Sequence, residues 1–294
     1  MEKIEQCPVC GSKQFQNFLK TKDFFLTREE FTIQKCSLCG LLLTNSRPEI
    51  GKIGNYYNSP DYISHSDDNK SLFDVVYKTV RKYTHHRKYL LVKKNTDGNA
   101  ILDIGCATGE FLNEFKKRGW TTQGIEPSKK AQHFARENYG IEVNDECTID
   151  GFLAGSFDVI TMWHVLEHVA NLEERILQIK RILKKNGTLI IAVPNSEAPD
   201  AKIYEKYWAA YDVPRHFYHF SKSSIKTLFK KYNFEIQEVL PMKLDAFYVS
   251  ILSEKYKRGK NNYLKAFLNG LKSNCQAKRK NNYSSLIFVI KNKN

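Results

Sequence analysis

No acidic residue follows Glu254, although eleven lysines and arginines do. That stretch cannot neutralise itself, so it faces solvent, RNA, an anionic membrane or a phosphorylated substrate; the composition favours a solvated basic face. No run approaches the roughly 18–20 apolar residues that span a bilayer. Residues 1–6 are polar, which argues against a secretory leader and for a cytoplasmic location. The seven cysteines lack the even, dense spacing of a secreted disulfide framework. There is no internal repeat. What remains is a chain of 294 residues with 41% hydrophobic and 13% aromatic content and a net charge of +14. That suffices for one large domain and one small one, each with a core.

Four of the cysteines form two knuckles, Cys7-Pro8-Val9-Cys10-Gly11 and Cys36-Ser37-Leu38-Cys39-Gly40, with 25 residues between them. Each glycine permits a tight turn. Together Cys7, Cys10, Cys36 and Cys39 supply four thiolates for tetrahedral Zn²⁺ and leave no open coordination position, so the metal is structural. A redox pair would need only one knuckle. A domain this small needs such a staple.

The middle of the chain centres on Asp103-Ile104-Gly105-Cys106-Ala107-Thr108-Gly109. An apolar strand ends in an acid, a small-residue loop follows, and an amphipathic helix begins at Glu110. Gly105 and Gly109 let the backbone turn and approach a ligand, and the helix start presents free N–H groups. The spacing departs from the dinucleotide pattern G-x-G-x-x-G. An acid two residues before the first glycine repels a pyrophosphate and attracts an ammonium group, which suits S-adenosylmethionine. The next strand ends in Glu126-Pro127-Ser128, about twenty residues on, where an acid accepts hydrogen bonds from ribose hydroxyls.

Around this loop the pattern alternates. A connector covers 45–68, with Tyr56, Tyr57 and Tyr62. Helical spacing follows over 71–94 (Leu72, Val75, Val76, Val80, Leu90, Leu91), then strands near 100–104, 121–126, 141–143, 157–163 and 188–193. Helices are expected at 110–118, 128–139, 172–183 and 221–231, and later strands at 234–240 and 285–290. Residues 252–282 are basic and partly helical. The alternation predicts a parallel α/β sheet, Rossmann-like and flanked by helices. The expected domains are 1–45 (zinc ribbon), 46–98 (connector and helices) and 99–294 (catalytic, with a basic insertion at 251–283).

A second dense point is Met162-Trp163-His164-Val165-Leu166-Glu167-His168, at the carboxyl edge of the sheet where ligands of such folds bind. The H-x-x-E-H spacing also occurs in zinc peptidases, but there it lies within a helix. Here it directly follows a strand, so that reading fails.

Residues 102–109, 124–128, 157–168 and 187–195 resemble the successive motifs of class I S-adenosylmethionine-dependent methyltransferases. The similarity is to the branch whose fourth strand ends in an "hxxEH" segment. Asp212-Val213-Pro214-Arg215-His216 resembles the "DxPRH" segment of that branch, and the paired knuckles resemble the zinc-binding domain that often precedes it. The resemblance implies a seven-stranded methyltransferase sheet and assigns roles. Gly105, Cys106, Ala107 and Gly109 would cradle the methionine and ribose, Ala107 standing where a third glycine is usual. Asp103 would hold the methionine ammonium, and Glu126, with Pro127 beside it, the ribose. Asp145 would approach the adenine, and Met162, Trp163 and His164 would line the methionine end. His168, His164 and His216, in that order, are candidates for the base that removes an acceptor's proton. The acceptor expected is a small molecule (a sugar, a quinone-like compound or another metabolite) taking the methyl on oxygen or carbon. RNA methylation through the basic region is the alternative, and a non-catalytic scaffold the third reading. Sugar C-methyltransferases with a similar zinc-binding start carry a further C-terminal domain; this sequence stops at the expected last strand of the sheet, which counts against sugar C-methylation.

Overall fold

The computed structural model describes residues 1–57 and 72–292, with the side chains of 72–79 excepted. Tyr62, most of the expected connector and the side chains of Leu72, Val75 and Val76 lie outside the described residues.

The N-terminal part contributes β1 (Phe15–Lys22), β2 (Glu30–Cys36) and β3 (Leu42–Thr44). A single helix α1 (Leu72–Lys94) leads into β4 (Ala100–Ile104), α2 (Glu110–Lys116), β5 (Thr121–Ile125), α3 (Lys129–Tyr139), β6 (Glu142–Asn144) and β7 (Phe157–Trp163). Then come α4 (Leu172–Ile182), β8 (Leu183–Pro194), α5 (Pro199–Tyr204), β9 (Tyr218–His219), α6 (Lys222–Lys231) and β10 (Phe234–Pro241). The chain closes with α7 (Asp245–Arg258), α8 (Tyr263–Lys278) and β11 (Ser285–Asn292).

The large sheet has seven strands in the order β6-β5-β4-β7-β8-β11-β10. Its central strands run parallel, and β11 runs antiparallel to both β8 and β10. This is the expected α/β fold. The strand order reverses at β4, whose neighbours are β5 on one side and β7 on the other. The carboxyl ends of these strands therefore open the crevice in which the glycine loop lies. The helix starts follow from the capping residues: Ser128 caps α3, Asn171 caps α4, and Ser221 with Ser224 forms a capping box on α6.

One strand departs from expectation. β8 begins at Leu183 rather than 188, because Leu183 pairs with Phe157 across a register shift and Lys184 Nζ reaches Asp158 at 2.8 Å. The lysine-rich stretch that reads as a helix end is the polar start of a strand.

The small sheet has the order β1-β2-β3-β9. Its fourth strand comes from far along the chain: Leu42 pairs with His219 and Leu43 with Tyr218. The cores merge accordingly. Leu41 and Leu43 are buried in one cluster with Leu166, Phe217 and Phe220. Among the described residues no helix is long and apolar enough to cross a membrane.

Candidate active site

Gly105 adopts φ +75°, and a Cβ there would fall 2.3 Å from Val165 Cγ2, so only glycine lets the loop pass the segment after β7. Ala107 holds a left-handed φ of +47°. Its strain is offset locally, because Glu126 accepts the Ala107 N–H at 3.0 Å and the Ser128 N–H at 2.9 Å. Glu126 thus braces the loop, and burial still pushes its carboxyl upward against those two donors. Cys106 is buried, its Sγ filling the space where a Cβ on Gly124 would stand, 2.4 Å away. Burial, with Asp103 and Glu126 nearby, pushes its thiol up and leaves it unreactive.

Asp103, next to last in β4, is buried and accepts a 2.6 Å hydrogen bond from the Thr161 hydroxyl. Burial pushes its carboxyl up to about 7, against that bond and the positive charge of Lys88. Lys88, on α1, sets its ammonium 4.1 Å over the Trp163 ring. Burial pulls it down to about 8, opposed by Asp103 and Asp245. Met162 is buried, and the Trp163 indole Nε1 is buried without a hydrogen-bond partner. Pro127 is exposed beyond β5. Asp145 receives hydrogen bonds from Lys129 and from Gln132 Nε2, the latter at 2.7 Å. The lysine contact is the main cause that lowers its carboxyl.

His164 carries a left-handed φ of +58°, and its ring stands between two carboxylates. Nε2 lies 3.1 Å from Asp245 Oδ2 and Nδ1 lies 3.5 Å from Glu167 Oε1. Burial disfavours the charged ring, yet the two carboxylates outweigh it and raise His164 to about 9. His164 is therefore an imidazolium at neutral pH and has no lone pair to offer.

His168 differs. Burial and the neighbouring His216 push it down to about 4, so its ring is neutral. Its Nδ1 lies 3.0 Å from the Arg215 carbonyl and 3.0 Å from the Tyr57 hydroxyl. A neutral ring that donates Nδ1–H to the carbonyl keeps its lone pair on Nε2. His216 packs edge-on against it, ring centroids 4.6 Å apart, with Nδ1 2.9 Å from the Ala210 carbonyl. Glu167 beneath them is 1% exposed, and neither of its oxygens has a hydrogen-bond partner. Burial would raise it, but the charged His164 beside it outweighs burial and lowers its carboxyl. Glu167, His168 and His216 bring one ligand atom each within 4.8 Å of one another.

The DxPRH segment is a clamp. Arg215, 2% exposed, donates to both oxygens of Asp212, at 3.0 and 2.6 Å, to Asp23 at 2.9 Å and to the Tyr56 carbonyl at 2.9 Å. Asp23 in turn caps the turn after β1 by accepting from the N–H groups of Phe25, Leu26 and Thr27. One guanidinium joins the N-terminal sheet, the connector and the segment beside His216.

The cysteine cluster is equally well formed. Cys7 Sγ lies 3.6 Å from Cys39 Sγ and Cys10 Sγ 3.5 Å from Cys36 Sγ, with all four sulfurs within 4.8 Å of one another. A tetrahedron with metal–sulfur bonds of about 2.3 Å has edges near 3.8 Å, which this cluster fits. Gly11 and Gly40, both near φ +75°, close the two knuckles.

Residues 77–239, more than half of the chain, match the methyltransferase-domain family. The chain belongs to this family. Its large sheet has the fold of solved S-adenosylmethionine-dependent methyltransferases. A ubiquinone biosynthesis O-methyltransferase of Nitrosococcus oceani is 27% identical over 194 residues, 60% of this chain and 80% of that protein. The protein of the same name from Actinobacillus pleuropneumoniae is 34% identical over 110 residues, 33% of this chain and 47% of the relative. The chain spans about half the length of most such relatives. Among solved structures, geranyl diphosphate C-methyltransferase from Streptomyces coelicolor has a TM-score of 0.53 at 12% identity, covering 78% of this chain and 88% of that one. This last likeness concerns the fold alone.

Sequence reasoning did not single out Lys88, Thr161, Asp245 or Tyr57. Lys88 is one lysine among many on a helix, and Asp245 opens a helix far along the chain. The signal that could have found Asp245 is its position as the last acid but one, directly after a strand of the same sheet.

Proposed function

We propose that this methyltransferase moves a methyl group from S-adenosylmethionine to a hydroxyl oxygen of a small, quinone-like acceptor, with His168 taking the hydroxyl proton. The observation that carries the base assignment is the difference between neighbouring histidines: His164 is held charged between Asp245 and Glu167, whereas His168 is neutral and partly exposed. The names of the O-methyltransferase relatives favour oxygen as the acceptor atom.

When bound, the donor supplies an already activated methyl on sulfonium, so the protein's task is alignment, worth roughly 7–11 kcal/mol in favourable cases. Asp103 would hold the methionine ammonium, the loop from Gly105 to Gly109 would cradle the methionine and ribose, and Glu126 would take the ribose hydroxyls. The Lys88 ammonium, which interacts with Asp103, would pair with the methionine carboxylate. His168 Nε2 accepts the acceptor's proton as the C–S bond breaks and the O–CH₃ bond forms, and the buried Glu167 carboxylate stabilises the imidazolium so produced. The products are the methyl ether and S-adenosylhomocysteine. A base in this position contributes about 10²–10⁴-fold. The cysteine cluster holds structural Zn²⁺.

The test is transfer of tritiated methyl from S-adenosylmethionine to catechol and hydroquinone acceptors by wild type and His168→Ala. The variant should lose about a hundredfold or more in kcat while binding S-adenosylhomocysteine as wild type does. Label that appears in RNA and in no phenolic acceptor would overturn the reading.

A further inference from the structure

The α7–α8 hairpin carries a helix face that nothing in the described structure covers. α8 buries small residues, Ala266, Gly270, Ser273 and Ala277, against the rest of the fold. Gly270 lies so close to Phe247 that a Cβ there would fall 2.7 Å from its ring. The adjoining face is apolar and open. Leu264 is 73% exposed, and Tyr263, Phe267, Leu268 and Leu271 are between 40% and 57% exposed. At 100° per residue these five side chains fall within one continuous arc, with Lys265 and Lys272 along its edge. Phe267 stacks on Phe247 at 5.4 Å and so continues the surface onto α7. Lys255, Lys257, Arg258 and Lys260 crowd the end of the hairpin, and no acid follows Glu254.

We infer that this face docks the protein on an anionic lipid bilayer. Apolar side chains entering the headgroup boundary, with flanking lysines paired to lipid phosphates, describe a helix lying in the interface plane. Charge decides among the occupants. A second copy meeting the same face across a two-fold axis would bring lysine to lysine, with no acid on α8 to relieve the repulsion. A nucleic acid would find one open ring, Tyr263; Phe267 is already stacked on Phe247, and Leu264, Leu268 and Leu271 give bases nothing to stack on. The bilayer also suits the site. The first residue of α7 is Asp245, ion-paired to His164. A hairpin resting on lipid therefore ties the crevice to the membrane-facing side of the protein. Docking itself does not depend on the acceptor proposed above, and it is measured without acceptor or cofactor.

The experiment is co-sedimentation of the full chain with vesicles of phosphatidylcholine containing roughly one-third phosphatidylglycerol, against pure phosphatidylcholine. Binding should occur on the anionic vesicles and fall with added salt. Leu264→Gln/Leu268→Gln should weaken it at least about tenfold. Lys265→Gln/Lys272→Gln should weaken it about twenty-five-fold, from about fivefold per lysine. Both variants should keep the wild-type thermal melt. Three results would overturn the inference: no binding by wild type, equal binding by the variants, or a wild-type dimer in light scattering that Leu264→Gln/Leu268→Gln dissociates.

Discussion

Asp245 Oδ2 stands 3.1 Å from His164 Nε2, tying the first residue of α7 to the loop that leaves β7. The pairing fixes the charge of His164. Its folded pKa of about 9 exceeds the ordinary 6.5. The stabilisation from this charge is therefore complete below pH 6.5 and lost as pH rises through about 9. Asp245→Asn should move the His164 midpoint, followed by imidazole NMR, down by more than one unit. The variant's melting temperature should also vary less between pH 6.5 and 8 than that of wild type. An unmoved midpoint would separate the two residues.

Asp103 sets a second pH dependence. With its carboxyl at about 7 it is largely protonated at pH 5.5 and cannot pair with an ammonium group. S-adenosylhomocysteine affinity, measured by calorimetry, should rise about tenfold from pH 5.5 to 7 as the carboxylate forms. Asp103→Asn should bind weakly with little slope. A wild-type slope in the variant would take Asp103 out of the cofactor site.

Arg215 is the charge whose loss should cost most. It faces the carboxylates of Asp23 and Asp212 in a buried setting, and removing it strands both. Arg215→Ala should lower stability by about 3–5 kcal/mol in urea unfolding. Arg215→Lys should recover only part, because a point charge cannot reproduce the two-pronged contact with Asp212. A loss below about 1 kcal/mol would mean that the clamp is not what holds these parts together.

The cysteine cluster predicts a metal stoichiometry. Wild type should carry one Zn²⁺ per chain by elemental analysis, and Cys36→Ser should lose it with a lower melting temperature. Metal-free wild type with an unchanged melt would remove zinc from the structure.

The glycine loop, Glu126 and the knuckles were legible in the sequence because each depends on neighbours a few residues apart: a turn needs its glycine, a strand end its acid. The parallel α/β sheet was legible because helix and strand patterns alternate along the chain. The relationships that organise the site were not. His164 with Asp245, Arg215 with Asp23 and Lys88 with Asp103 join residues brought together only by packing, and no spacing records them. The start of β8 was obscured for a related reason. Its lysines and Gly187 follow local helix-ending habits, while pairing with β7 decides the outcome.

The pairing of Leu43 with Tyr218 also bears on how the protein comes into being. The cysteine-bearing sheet leaves the ribosome first, yet its outermost strand is synthesised long afterwards. Until then β3 offers an open edge to whatever chain lies near. The knuckles are thus no portable module. A gene cut after residue 45 would yield a sheet lacking its last strand, and a gene begun at residue 99 would leave β9 with nothing to join.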